Sequence, residues 1–186
     1  MPRIESLKPN VTRAQAIDLF RRGMPGLLRR IAWGSLRSVA EAYVPFRIYR
    51  VEVSNGRGRQ RSWFGLDAVS GTLDLYRFER APTAAELMQV ETRNRPDPTL
   101  EDVRAVRLLE DKLRRLVFQT GFFRVRHLRF GVERSPLDLH VPYWIGFYDA
   151  GETVRLHVLD AVRRRFEGGK VRALFEGWLA SEEKSR

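Results

Sequence analysis

The chain has 186 residues, with 34 lysines and arginines against 23 aspartates and glutamates, a formal charge of +11 and no cysteine. At 43% apolar and 11% aromatic residues it is too rich for disorder, and it has room for one domain or two small units sharing a core. Without cysteine there are no disulfides, thiolate metal sites or cysteine nucleophile. No run approaches the ~20 apolar residues of a spanning helix. Residues 1–8 hold no apolar stretch with a cleavage site, so the expected location is cytoplasmic.

The cations are almost all arginine; only Lys8, Lys112, Lys170 and Lys184 are lysine. Arginine suits bidentate contacts to phosphate and carboxylate. The excess is read either as the codon usage of a GC-rich genome or as a preference for a polyanionic partner.

In chain order, Thr12 with Gln15 has capping-box spacing and opens a helix carrying Ala14, Ile17, Leu19 and Phe20. Gly23-Met24-Pro25-Gly26 interrupts it, and 27–33 resumes with Arg29 and Arg30. Residues 43–53 are rich in β-branched and aromatic types and predict a strand. A Gly/Arg turn at 54–59 is followed by strands at 62–68 and 72–79. Residues 80–99 read as a connector, with Thr83 and Glu86 spaced to cap a short helix and Pro96 and Pro98 as breaks. Thr99, with Asp102 three residues on, is expected to cap a long helix along Val103, Val106, Leu109, Leu113 and Leu116. Strands are predicted at 122–132, 139–148 and 153–160. Beyond Gly168-Gly169, Val171, Leu174, Phe175 and Trp178 mark a C-terminal helix.

Two strings recur. Val44-Pro45-Phe46-Arg47-Ile48 matches Val141-Pro142-Tyr143-Trp144-Ile145 at an offset of 97 residues. Leu66-Asp67-Ala68-Val69 matches Leu159-Asp160-Ala161-Val162 at an offset of 93, so the first hairpin is four residues longer, and the turn at 54–60 accommodates them. With a capped helix upstream of each, this reads as a duplicated helix-then-sheet unit. The expected fold is therefore α+β: two pseudo-repeated helix-plus-antiparallel-sheet units, 1–80 and 99–186, joined by 81–98, with a C-terminal helix in the second.

The stretch 49–53, a polar turn, and Leu66-Asp67-Ala68-Val69-Ser70-Gly71-Thr72-Leu73 resemble the C-terminal half of PepSY-type domains, and 12–17 resembles that family's helix start. The resemblance covers the first 80 residues, with an echo in the second half, where Arg163-Arg164 stands in place of Ser70-Gly71. It implies a helix on a small antiparallel sheet with a hydrophobic-Asp-Ala-x-x-Gly turn. It also implies a role in binding or restraining peptidases.

Centring the second hairpin on 150/151 pairs Phe147 with Val154, Ile145 with Leu156 and Tyr143 with Val158 as a core face. The opposite face then carries Trp144, Tyr148, His157, His140 and Arg155, with Arg47 at the place in the first half that matches Trp144. Such a face either packs internally, meets a protein, or stacks bases and neutralises phosphate. Arg124 and Arg126 alternate on one predicted strand and, with Arg129, Arg29 and Arg30, are the candidate anion-binding residues.

No phosphate loop, dinucleotide fingerprint, His-Glu-x-x-His or Gly-x-Ser-x-Gly elbow occurs. No catalytic residue, metal ligand or cofactor is assigned. Asp67 and Asp160 are expected to bond local amides at their turns. The function expected is a non-enzymatic binding or scaffold protein docking a protein partner. The alternatives are a nucleic-acid-binding protein and a peripheral protein on anionic membranes, the last using residues 27–37.

Overall fold

Alternation and turn chemistry dominate this chain, and the result, among the described residues, is a mixed sheet with three α-helices. The structure is a computed structural model and describes residues 1–22, 34–54, 59–119, 129–150 and 153–184. The elements are β1 (Arg3–Leu7), α1 (Arg13–Arg22), β2 (Ser35–Ser54), β3 (Arg59–Asp67), β4 (Tyr76–Phe78), a 3-10 turn (Ala84–Glu86), β5 (Leu87–Glu91), α2 (Asp102–Gln119), β6 (Arg129–Ala150), β7 (Thr153–Asp160), β8 (Arg165–Phe166) and α3 (Gly169–Lys184). Strand order is β4-β3-β2-β6-β1-β5, with β7 on β6 and β8 on β7. The α+β class expected from the sequence is the class observed.

Several boundaries differ from expectation. The predicted strands at 122–132 and 139–148 belong, in their described part, to one strand of 22 residues that runs straight through Pro136. The predicted strand at 72–79 forms only over Tyr76–Phe78. β5 lies inside the predicted connector, and β1 falls where no element was expected. Thr99 does not cap α2. Its hydroxyl donates to the Val69 carbonyl at 2.8 Å, and the first α-type bond runs from Ala105 N–H to the Glu101 carbonyl. The other two caps form as spaced: Gln15 and Thr12 exchange bonds, as do Glu86 and Thr83.

The chain gathers into two compact units, each using segments from both sides of the connector. The first comprises Met1–Val44, Met88–Pro96 and His140–Arg186. The second comprises Pro45–Leu87 and Asp97–Leu139.

In the first unit the β6–β7 hairpin pairs Trp144 with Leu159, Gly146 with His157 and Tyr148 with Arg155. The expected register is therefore slipped by two residues. The slip preserves parity, so the division of side chains between faces holds, because a strand's period is two. Its core joins Val11, Ala16 and Phe20 of the α1 segment to Val39, Trp144, Tyr148, Leu159 and Ala161. On the opposite sheet face α3 contributes buried Val171 and Phe175, with the Phe175 ring 5.7 Å from Tyr143.

In the second unit β2 and β3 pair from Phe46↔Asp67 to Ser54↔Arg59. Residues 55–58, in the turn expected to hold the extra length, lie outside the described residues. The core joins Leu100, Ala105, Leu109 and Leu113 of the α2 segment to Tyr49, Val51, Phe64 and Leu66.

The same local bonds occur in both units. Ala68 N–H donates to the Pro45 carbonyl at 2.8 Å, and Ala161 N–H to the Pro142 carbonyl at 3.1 Å. Each proline sits where only its carbonyl is needed, so its missing N–H costs the ladder nothing. Leu100 N–H donates to the Ala68 carbonyl and Asn10 N–H to the Ala161 carbonyl. Asn10 Nδ2 donates to the Val162 carbonyl at 2.8 Å, as the Thr99 hydroxyl does to Val69.

The two turns repeat as well. Asp67 Oδ1 accepts the Ser70 and Gly71 N–H groups at 2.7 and 2.8 Å, while Oδ2 accepts Leu73 N–H at 2.9 Å. Asp160 Oδ1 accepts the Val162 and Arg163 N–H groups, each at 2.8 Å. These aspartates bond local amides, as their position before a turn implies. Gly71 (φ 68°) and Arg164 (φ 56°) both take the left-handed conformation.

Candidate docking surface

The aromatic face of the β6–β7 hairpin is covered in the first unit by α1. Trp144 is 6% exposed and Tyr148 3%. The Trp144 indole donates to the Val11 carbonyl at 2.9 Å, and the Tyr148 hydroxyl to the Phe20 carbonyl at 2.9 Å. Those are carbonyls at the two ends of the α1 segment, so the two rings clamp it. Burial pushes the Tyr148 phenol up to about 12. Gly146 makes the clamp possible: a Cβ there would lie 2.8 Å from the Phe20 ring. Of the three readings of this face, internal packing is the one observed at Trp144 and Tyr148: an indole and a phenol each satisfy one backbone carbonyl while burying a large ring.

The other residues of that set are scattered. His157 is half-buried in edge contact with Tyr148 at 5.4 Å and with Phe166 at 6.5 Å. Arg155 lies opposite Tyr148 and is exposed. His140 Nδ1 lies 3.1 Å from the Glu5 carbonyl where β1 meets β6. Arg47 belongs to the second unit. There it is 13% exposed, with Nη1 at 3.2 Å from Asp102 Oδ1. Arg134 bridges Asp102 at 2.8 Å and Asp138 at 2.9 Å. This network stands at the start of α2, where a carboxylate also complements the helix dipole. Burial raises the pKa of the neighbouring Tyr49, against the lowering pull of Arg47 and Arg134.

Of the candidate anion-binding residues, Arg29, Arg30, Arg124 and Arg126 lie outside the described residues. Arg129 is exposed at the start of β6. The segment proposed for membranes, 27–37, is described only from residue 34. Leu36 packs on the α1 core, and Arg37 lies 3.7 Å from Asp149. Among the described residues no helix is long and apolar enough to cross a membrane, and no three His, Asp or Glu side chains converge as a metal site.

The surface that the sequence reading missed is the other face of the β2–β3 hairpin. Cross-strand register places Trp63 directly between Arg50 on β2 and Phe78 on β4. Trp63 and Phe78 are half-buried and Arg50 is exposed. Tyr76 lies beneath, 5.1 Å from the Phe78 ring and in edge contact with Phe46 at 5.8 Å. Arg50 pairs with Glu133. Glu52 holds Arg61 at 3.0 Å and Arg59 at 3.6 Å. A shallow groove of about 260 Å³ runs along Arg50, Glu52, Arg61, Gly131, Val132 and Glu133. A second void, of about 540 Å³, is lined by Gln60, Arg61, Ser62, Arg77, Phe78 and Glu79.

In the first unit α3 packs on the corresponding sheet face. In the second, the only α-helix among the described residues is α2, and it packs on the opposite face through Tyr49, Phe64 and Leu66. Period-two counting from buried Ile48 and Tyr49 could have found the Trp63 row, since Arg50 and Trp63 alternate with core residues.

No protein-family model, curated protein or solved structure matches the chain.

Proposed function

We propose that this chain is a non-enzymatic binding protein, built from a duplicated helix-and-hairpin unit, that docks a protein partner on the Trp63 face of the second unit. One observation carries the docking site: a half-buried tryptophan is held in register between an exposed arginine and a half-buried phenylalanine, on the sheet face away from α2 and next to the buried Phe46, Ile48 and Tyr76 of that face. Tryptophan and arginine dominate binding hot spots, where a ring gives large contact area at low entropic cost and a guanidinium gives directed bonds. The face carries Glu52 and Glu133 among its arginines. Mixed charge of this kind suits a protein surface; for a nucleic acid the carboxylates would stand against phosphate.

The duplication is supported by the recurring bonds at Pro45 and Pro142, at Asp67 and Asp160, and at the paired left-handed positions. It also extends to the helices. Val11, Ala16 and Phe20 stand 89 residues before Leu100, Ala105 and Leu109, and all six are buried. The PepSY likeness of the first 80 residues belongs with this reading, and a peptidase is one class of partner it suggests.

The test is photo-crosslinking in the native cell from a probe residue at position 63, with position 155 as control, together with the size of the chain in cell extract. A protein adduct specific to position 63 and weakened by Arg50→Glu is expected. A free monomer in extract with no adduct overturns the reading, and a nucleic-acid adduct replaces it.

A further inference from the structure

We infer that the void beside β3 is the seat of an added β-strand, and that its occupant is an extended, carboxylate-bearing segment of the docked partner. The inference deepens the docking reading above and rests on it.

The lining of the void runs through consecutive residues on two strands: Gln60, Arg61 and Ser62 of β3, then Arg77 and Phe78 of β4 with Glu79 beyond its end. Consecutive strand residues point to opposite faces. A space bounded by such runs therefore lies in the plane of the sheet, at its edge, where a further length of strand would run.

Register confirms which backbone groups open onto it. Ala68 N–H donates to its direct partner Pro45, so even-numbered β3 residues bond to β2 and odd-numbered ones face the other way. β4 pairs with only 63–65. Among the described residues, Arg59 and Arg61 therefore turn their backbone N–H and C=O away from β2 with no strand opposite, and Arg61 lines the void. An edge in this state is a template for pairing with another chain.

The chain's own β4 does not run along the seat. After Phe78 it bends at Glu79 and Arg80, Arg80 pairs with Glu86 at 3.2 Å, and Glu86 accepts the Thr83 N–H at 2.9 Å. Pro82, which would fall opposite Arg59 if β4 continued, has no N–H to offer the ladder.

The charge identifies the occupant. Side chains of an added strand alternate between faces, and each face of the seat carries an arginine: Arg61 with Phe78 on one, Arg77 with Gln60 and Ser62 on the other. Carboxylates at either parity meet a guanidinium, Arg77 on one face and on the other Arg61, which Glu52 also holds at 3.0 Å, and the apolar positions between them meet the Phe78 ring or the strand surface.

The experiment uses the intact chain and the peptide acetyl-Glu-Val-Glu-Val-Glu-Val-amide, with the Lys-for-Glu peptide and an oligothymidylate as comparison probes. Residue-resolved amide hydrogen exchange is read at Arg59 and Arg61, with Leu66 as the internal control. The acidic peptide should slow exchange at Arg59 and Arg61 by about tenfold or more. The double variant R61E/R77E should weaken its binding by at least about tenfold. Equal protection by the lysine peptide, binding of the oligonucleotide alone, or peptide binding without protection at these amides overturns the strand seat. A specific adduct from position 63 without protection at Arg61 sinks this inference and leaves the docking face standing; absence of both sinks the two together.

Discussion

The two units seat their helices on sheets by the same backbone scheme and lock them with opposite chemistry. In the first, Trp144 and Tyr148 each donate a hydrogen bond to a carbonyl of the α1 segment. In the second, Arg47 follows Pro45 by two residues as Trp144 follows Pro142, and the lock is an ion network through Asp102, Arg134 and Asp138. A frame fixed by aspartate turns and proline carbonyls thus tolerates a ring or a guanidinium at the same place. The aromatic lock buries large apolar area; the ionic one stays half in water, where ion pairs contribute little.

That contrast can be broken by mutation. Trp144→Ala should cost about 3–5 kcal/mol, since it opens a cavity and strands the Val11 carbonyl. Arg47→Ala should cost about 1 kcal/mol or less, because Asp102 is largely exposed. Urea unfolding of both variants checks the difference, and equal losses would erase the distinction between the locks. Gly71→Ala should cost about 1–3 kcal/mol: the left-handed backbone penalises a Cβ, and that Cβ would lie 2.6 Å from Leu108. Arg164→Gly, at the matching left-handed position, should instead raise stability by about 0.5–1 kcal/mol, read as a higher midpoint of thermal unfolding.

The smallest effect sharpens the comparison of the two turns. Asp67 has both oxygens bonded, whereas Asp160 Oδ2 has no hydrogen-bond partner among the described residues. Burial raises the Asp160 carboxyl pKa despite the opposing bonds from Arg163 and Val162. The folded state therefore holds this proton more tightly than the unfolded chain. Its contribution to stability is present below the unfolded value of about 4 and is lost as pH climbs through the folded value. Asp160→Asn should remove that part of the pH slope, measured by denaturant midpoints across a pH series. An unchanged slope would show that Asp160 does not supply it.

Much of the scaffold was legible because it depends on local grammar. The Thr12–Gln15 and Thr83–Glu86 caps, the aspartate turns and the parity of the β6–β7 faces all follow from spacing and alternation. What escaped depends on long-range partners. Nothing local reveals that Gly146 admits the ring of Phe20, which turns Trp144 from a surface into a clamp. β1 is five residues long and is identified by its parallel pairing to β6 at Ser6↔His140. The two predicted strands merge into β6, which runs through Pro136 although a proline has no N–H to give a ladder. The Trp63 face is not marked by the recurring strings, which contain Trp144 but not Trp63; the second unit keeps its aromatic residue on the sheet face away from its helix.

The composition of each unit from both sides of the connector has a consequence for biosynthesis. The stripe of Val11, Ala16 and Phe20 finds its cover on residues 144–161, so the earliest helix leaves the ribosome long before its seat exists. Pairings so distant along the chain slow folding and prolong the exposure of sticky intermediates. Nascent chains stopped before the β6–β7 hairpin should be held by chaperones, and maturation should come in a concerted step once residues 144–161 have emerged.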